Sequence, residues 1–211
     1  MAKAWSAFYP DVIPDLPGAP FPLVDHHLRN AAIDFCERSK ALVVDLDPID
    51  AVSGLQAYDL PLPSGTDLVE IAGARFSGKK ITPKSPAYLD ANREDWNTEQ
   101  GTPEHYTQQG KDSLLLVPIP QVDAATAIKI KAAVKPSNTS TGVDDWFYAQ
   151  FRKAIAAGCK AVMMAMPDEK WSNPDRVALN AGIFDAAAND ATGDAANGFT
   201  RARPRFSGGF C

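Results

Sequence analysis

No run of this sequence approaches the roughly 20 apolar residues that cross a bilayer, so no membrane-spanning helix is expected. Met1-Ala2-Lys3 leads into aromatic and proline-rich sequence with no continuous apolar segment behind it. No secretory signal is therefore expected, and the chain should mature in the cytoplasm. Cysteine is sparse: Cys36, Cys159 and Cys211 form no close pair, and any intramolecular scheme leaves one over. That points away from a disulfide framework and from a structural zinc site. Cys36 and Cys159 fall in helix-like patterns and read as small buried residues, while terminal Cys211 reads as exposed and oxidisable. The three histidines, His26, His27 and His105, make no metal or nucleophile pattern. H-E-x-x-H and a glycine-flanked serine are both missing. Positive charge is in deficit, 21 Lys and Arg against 26 Asp and Glu. A net charge of -5 argues against a surface given over mainly to nucleic acid, yet leaves room for a local basic patch.

What the chain does have is enough apolar content for a packed core, 45% of 211 residues. Pro10, Pro14, Pro17, Pro20 and Pro22 crowd the first 22 residues. Proline fixes φ and disfavours helix in its predecessor, so residues 1–22 read as an extended N-terminal arm. Trp5, Phe8, Tyr9, Val12 and Ile13 give it apolar anchors for the body or for a neighbour.

A core helix is expected from about Leu23 to Lys40, within a segment 23–41. Val24, His27 or Leu28, Ala31 and Phe35 form its stripe, Ile33 widens it, and Lys40 sits in the last turn. The period then shortens to two over 42–135, which reads as a β-rich inserted unit. In Ile128–Lys135, Ile128, Ile130, Ala132 and Val134 should face inward, and Lys129, Lys131 and Lys135 solvent. Leu114–Val117 reads as a strand stopped by Pro118 and Pro120. Leu68–Phe76 and Lys79–Ile81 read as a hairpin around Ser77-Gly78. A short helix is expected at Asp90–Trp96. Residues 136–195 return to helix. Asp144 or Asp145 caps a first one, with Phe147, Phe151, Ala154 or Ile155, Gly158 and Val162 on its face, and Pro167 ends it. Asn173-Pro174 starts a second through Val177, Ala181, Phe184, Ala188 and Ala191. Gly193 and Gly198 lead into a C-terminal arm, 196–211. The fold class is thus α+β: a helical bundle with an inserted β-rich unit and extended N- and C-terminal arms.

Two motifs invite chemistry. Gly73-Ala-Arg-Phe-Ser-Gly78-Lys79-Lys80 nearly matches a phosphate-binding loop. Lys80, however, stands where Ser or Thr should hold magnesium, and Ile81-Thr82-Pro83 offers no helix N-terminus. A hairpin turn with solvated lysines is the expectation. Carboxylates such as Asp45, Asp47, Glu94 and Asp95 carry no mark of a catalytic pair. No catalytic, metal-binding or cofactor-binding residue is assigned, and no cofactor is expected. In the C-terminal arm, Phe199, Arg201, Arg203, Arg205, Phe206 and Phe210 mix charge with apolar anchors, as a docking peptide does.

Three stretches resemble a family of tailed-phage head-to-tail adaptor proteins. They are Leu28–Arg38; Trp96 through Gly101-Thr-Pro103-Glu-His-Tyr106 to Leu114–Pro120; and Val134-Lys-Pro136-Ser137 with Trp146, Ala154–Gly158 and Met166–Trp171. The resemblance concerns order and spacing across about Leu23–Ala191. It implies a non-enzymatic subunit of a closed ring, about twelve copies, in the virion neck. Its implied partners are the portal protein, a downstream neck or tail protein, and genomic DNA that passes without sequence-specific binding. The C-terminal residues named above become candidates for portal or neighbour docking, and Trp5, Phe8, Tyr9 and Ile13 for packing of the N-terminal arm. Other neck or tail rings, such as a stopper or tail terminator, are alternatives. A DNA-binding packaging accessory is a further one, and salt-sensitive duplex binding by the monomer would favour it.

Overall fold

A computed structural model describes residues 2–196. In chain order it contains β1 (Ala2–Ala4), α1 (Tyr9–Val12) between two 3₁₀ turns, and α2 (Phe21–Ser39). Next come β2 (Val43–Asp45), β3 (Ile49–Ala51), β4 (Ala57–Asp59), β5 (Thr66–Phe76), β6 (Lys79–Pro83) and α3 (Pro86–Asn92). β7 (Gln100–Gly101), β8 (His105–Thr107), β9 (Ser113–Val117), β10 (Ile119–Pro120), β11 (Ala124–Pro136) and β12 (Gly142–Asp144) follow. α4 (Asp145–Met164) and α5 (Pro174–Ala196) complete the described chain. Both helices and a curled sheet are present, so the fold is mixed α+β. The chain divides into two compact units, one made of Met1–Ala41 with Thr141–Cys211 and the other of Leu42–Ser140.

In the first unit α2, α4 and α5 pack on one another around Phe35. Its ring is fully buried and meets Phe147, Phe151 and Phe184 at centroid distances of 5.9, 4.8 and 5.8 Å. α2 buries Val24, Leu28, Ala31, Ala32, Phe35, Cys36 and Ser39. The stripe thus runs through Leu28, with His27 at its half-buried edge. Lys40 lies just past the last turn, in the left-handed region at φ 53°. The helix closes on Ser39, whose hydroxyl donates to the Phe35 carbonyl at 2.7 Å.

α4 is apolar on most sides because α2, α5 and the N-terminal segment all cover it. Asp144 caps it, its carboxylate accepting from the Trp146 amide at 2.8 Å. Its buried face ends on Met163 and Met164 rather than on Val162, which stays 52% exposed. At Gly158 an added Cβ would come within 2.6 Å of the Phe184 ring. Glycine there lets α4 and α5 approach closely, which outweighs the roughly 1 kcal/mol of helix propensity it gives up. α5 continues through Gly193 to Ala196, so the glycine does not start the tail where its helix-breaking tendency suggested.

The N-terminal segment corrects the expectation of an extended arm. Residues 5–15 form consecutive helical turns. Pro10 and Pro14 each stand within the first two positions of a turn, where a missing amide donor costs no hydrogen bond. Pro22 likewise sits inside the first turn of α2.

In the second unit the sheet runs β2-β11-β5-β6-β8-β9-β4, with β3 also on β11. β6 and β8 are parallel, and the other pairs of this sheet antiparallel. The β5–β6 hairpin turns on Ser77 and Gly78, with φ of 47° and 83°, the handedness that matches strand twist. β11 alternates as far as Lys131, with Ile128 and Ile130 buried and Lys129 and Lys131 exposed. Beyond it Ala132, Ala133 and Val134 are all buried, and Lys135, expected in solvent, is half-buried where the register to β5 shifts. Two register shifts between β11 and β5 mark bulges, which sharpen the sheet's curl.

β9 is buried on both faces, which is why Leu114–Val117 is a continuous apolar run. Leu115 and Val117 pack with Leu89 and Trp96. Pro118 ends β9 only briefly, because Ile119–Pro120 resumes pairing with Gln100–Gly101. The short helix lies at Pro86–Asn92, ahead of the expected Asp90–Trp96. The hydroxyl of Ser85 accepts from the Tyr88 amide and Pro86 fills the first helical position, a start signal the apolar spacing obscured.

Candidate functional site

Three surfaces gather the residues that sequence singled out. The first is the N-terminal segment. Trp5 and Phe8 are buried, while Tyr9 and Ile13 are half-buried. Phe8 meets Tyr148 edge to face at 4.9 Å, and the Tyr148 hydroxyl donates to the Ala7 carbonyl at 3.0 Å. β1 pairs with β12, with Lys3 opposite Val143. Tyr9 stacks on Phe21 and donates to Asp25 at 2.8 Å. Burial and that carboxylate push the Tyr9 phenol up to about 12. The structure thus uses Trp5 and Phe8 inside their own chain.

Asp15 closes this segment onto α4 and α5. Its carboxylate accepts from Lys160 at 2.9 Å and from Arg176 at 3.0 Å. The Lys160 hydrogen bond, with help from Arg176, holds the Asp15 carboxyl below the usual carboxylate range against the opposing effect of burial. A lowered folded value means the stabilisation is complete above about pH 4 and is lost as pH falls through the lowered value. Asp15→Asn should therefore cost at most about 1 kcal/mol at neutral pH, because the cluster is part-exposed and solvent screens it. It should also flatten the acid limb of a stability–pH curve measured by urea unfolding. An unchanged acid limb would remove Asp15 from the account.

The second surface is a groove of about 440 Å³ among α2, α4 and α5. Gly158, Ala161 and Phe184 give it an apolar floor, and Arg38 spans its rim between Asp34 at 3.6 Å and Asp185 at 2.8 Å. Those two carboxylates, Asp185 first, raise the already high Arg38 value. His27 also borders the groove; burial, then neighbouring His26, lowers its pKa. The His26 and His27 rings touch edge to face at 5.2 Å. His105 lies in the other unit, against the Thr82 hydroxyl at 2.7 Å, so the three histidines do not form one site. Among the described residues no group of three or more His, Cys, Asp or Glu is placed to hold a metal ion. Cys36 and Cys159 are buried, and burial pushes the Cys159 thiol up to about 12, far from a reactive thiolate.

The third surface lies on the β5–β6 hairpin and β11. Lys129, Arg75 and Lys80 stand directly opposite one another on three neighbouring strands. With Lys131 they line a groove of about 640 Å³, along with Asp45, Asp47 and Gly73. The loop-like stretch Gly73–Lys80 is thus strand, turn and strand, and Lys80 continues into β6 rather than opening a helix. Sequence placed Lys129 and Lys131 toward solvent and Lys80 on a hairpin. It missed that they meet, because alternation fixes a residue's face and says nothing of which strand lies beside it.

Against known proteins, the family model described as SU10 adaptor protein matches residues 4–206. The chain belongs to the SU10 adaptor protein family. It is thereby a phage adaptor protein, a virion component of a structural family that associates with other head and tail proteins. No curated protein matches the chain. An adaptor acts through what it touches, which makes its surfaces the features to read. Among the described residues no helix is long and apolar enough to cross a membrane. Phe199, Arg201, Arg203, Arg205, Phe206, Phe210 and Cys211 lie outside the described residues.

Proposed function

We propose that this chain is one subunit of a closed ring in the phage neck, which joins the capsid portal to the tail and extends the channel for the genome. The observation that carries the reading is the SU10 adaptor match over residues 4–206, nearly the whole chain. A ring repeats one heterologous contact until it closes and leaves no open interface, a stable form for a subunit that acts by position. The family resemblance implies about twelve copies in the ring. In this reading α2, α4 and α5 form the bundle of each subunit, and Leu42–Ser140 is the β-rich insertion. The C-terminal arm docks on the portal through Phe199, Arg201, Arg203, Arg205, Phe206 and Phe210.

Co-sedimentation with purified portal tests this directly. The full chain is expected to bind, and a chain lacking residues 198–211 to bind at least about tenfold more weakly, about 1.4 kcal/mol or more. Unchanged affinity of the truncated chain would remove the tail from portal docking. Failure of the full chain to bind portal, with binding to a tail terminator or stopper instead, would move the ring to a lower layer.

A further inference from the structure

The row Lys129–Arg75–Lys80 is unusual for a sheet. Adjacent strands lie about 4.8 Å apart, so three long cationic side chains rise from one line on one face. Like charges directly opposite destabilise a strand pair. Little on the chain relieves them. Asp45 pairs with Lys131 at 3.6 Å, and Arg75 donates to the Gly78 carbonyl at 3.0 Å. Among the described residues Lys80 and Lys129 have no ion-pair partner. The unit around them is acidic, with nine Lys and Arg against 13 Asp and Glu in Leu42–Ser140. Four of those nine cations line this single groove, against two carboxylates. Gly73 lies among the lining residues, and a Cβ there would meet nothing within 4 Å, so space beside the row is open.

The geometry points to a phosphate-contacting face: the exposed side of β11, β5 and β6 holds the backbone of double-stranded DNA without reading its sequence. Two features favour phosphates over an acidic protein. Lysine is depleted from protein interfaces, which rely on buried aromatic and apolar anchors. Here three of the four cations are lysines, no aromatic residue lines the groove, and its large apolar members, Leu46 and Ile130, are buried. A solvated fan of lysines suits phosphate positioning instead. The choice of DNA as the polyanion rests on membership of a phage adaptor family; it does not require the ring to sit against the portal. Contact through three or four cations is weak for one subunit, with Kd in the range of about 10⁻⁴–10⁻⁶ M. That suits a genome that must move past, and repetition around an assembly would multiply it.

The test uses the full chain carrying R201Q/R203Q/R205Q, so that tail arginines do not contribute, and a fluorescent duplex of arbitrary sequence. Anisotropy titrations at several salt concentrations should give log K falling against log[salt] with a slope of about -3. Lys80→Gln with Lys129→Gln should weaken binding about tenfold or more at low salt and reduce that slope by about 2. Lys79→Gln removes one charge from the same hairpin, on the face that Lys79 shares with buried Phe76, and should change affinity less than threefold. Lys80→Gln, which removes one charge from the row, should change it by more. Equal losses from Lys79→Gln and Lys80→Gln, or none from the double variant, would overturn the assignment. So would equal or tighter binding of polyglutamate, which would give the face to an acidic protein. Portal co-sedimentation of the double variant is expected to be unchanged, so failure of this inference and failure of the ring reading appear in different assays.

Discussion

Phe35→Ala should destabilise the helical unit by about 3–5 kcal/mol, the range for removing a large aromatic side chain from a core. Phe35 is fully buried and is the ring at which the aromatic residues of α4 and α5 converge. Truncation removes its own transfer energy and its contacts with three facing rings. Full collapse into the gap is resisted because Phe184 is held against Gly158 and beneath the Arg38 guanidinium, 5.4 Å from its ring centroid. The appropriate readout is local, since the chain has two units and a single global unfolding midpoint mixes them. Amide exchange in α2, α4 and α5, followed by mass spectrometry, should accelerate by two orders of magnitude or more, consistent with about 3 kcal/mol. A loss below about 1 kcal/mol would mean the three helices do not depend on this cluster.

Gly142→Ala is the second large effect, and its cause is backbone rather than side chain. A Cβ at Gly142 would overlap the Lys3 carbonyl and come within 3.0 Å of the Ala4 Cα. Neither atom can move without breaking the β1–β12 pairing, in which Ala4 stands opposite Gly142. Overpacking of this kind costs about 1–3 kcal/mol. The expected result is release of the first strand: faster amide exchange at Lys3, Ala4 and Val143, and faster tryptic cleavage after Lys3. Gly182→Ala is the matched control, because a Cβ there meets nothing within 4 Å in the middle of α5. It should stabilise the helix, by up to about 1 kcal/mol. If Gly142→Ala leaves the protection of Lys3 and Ala4 intact, the β1–β12 pair does not anchor the N-terminus.

Much of the fold was legible because period and capping chemistry are local. Alternation put Ile128, Ile130, Ala132 and Val134 inside β11, and Ser77-Gly78 marked the β5–β6 turn through backbone conformations that favour it. Asp144 announced α4, and Asn173-Pro174 the start of α5. The misreadings share a cause. Proline was read as a breaker across residues 1–22, yet at Pro10, Pro14 and Pro22 it sits where a helical turn accepts it. Val162 followed the spacing of an isolated amphipathic helix, but α4 is covered on several sides and its buried set widened to Met163 and Met164. Ser85-Pro86 was overlooked beside the more conspicuous Trp96, whose indole donates to Asp90 at the end of α3.

The candidate surfaces were legible to a smaller degree, for a physical reason. Trp5 and Phe8 marked the N-terminal segment as one with apolar anchors, but only the fold shows that Phe8 meets Tyr148, on α4 of the same chain. The cationic row depends on register between β11, β5 and β6, which sets Lys129 opposite Arg75 and Arg75 opposite Lys80. Hydrophobic period carries no information about that pairing. The adaptor assignment came instead from order and spacing over a long stretch, which agrees with the family match over residues 4–206.

The central claim is that this SU10 adaptor family member acts as a ring between portal and tail. Cryo-electron microscopy of purified virions tests it most directly. The account predicts a closed ring of this chain immediately below the portal, with residues 198–211 running to the portal. Absence of the chain from the mature particle, or its location in a layer that does not touch the portal, would contradict it.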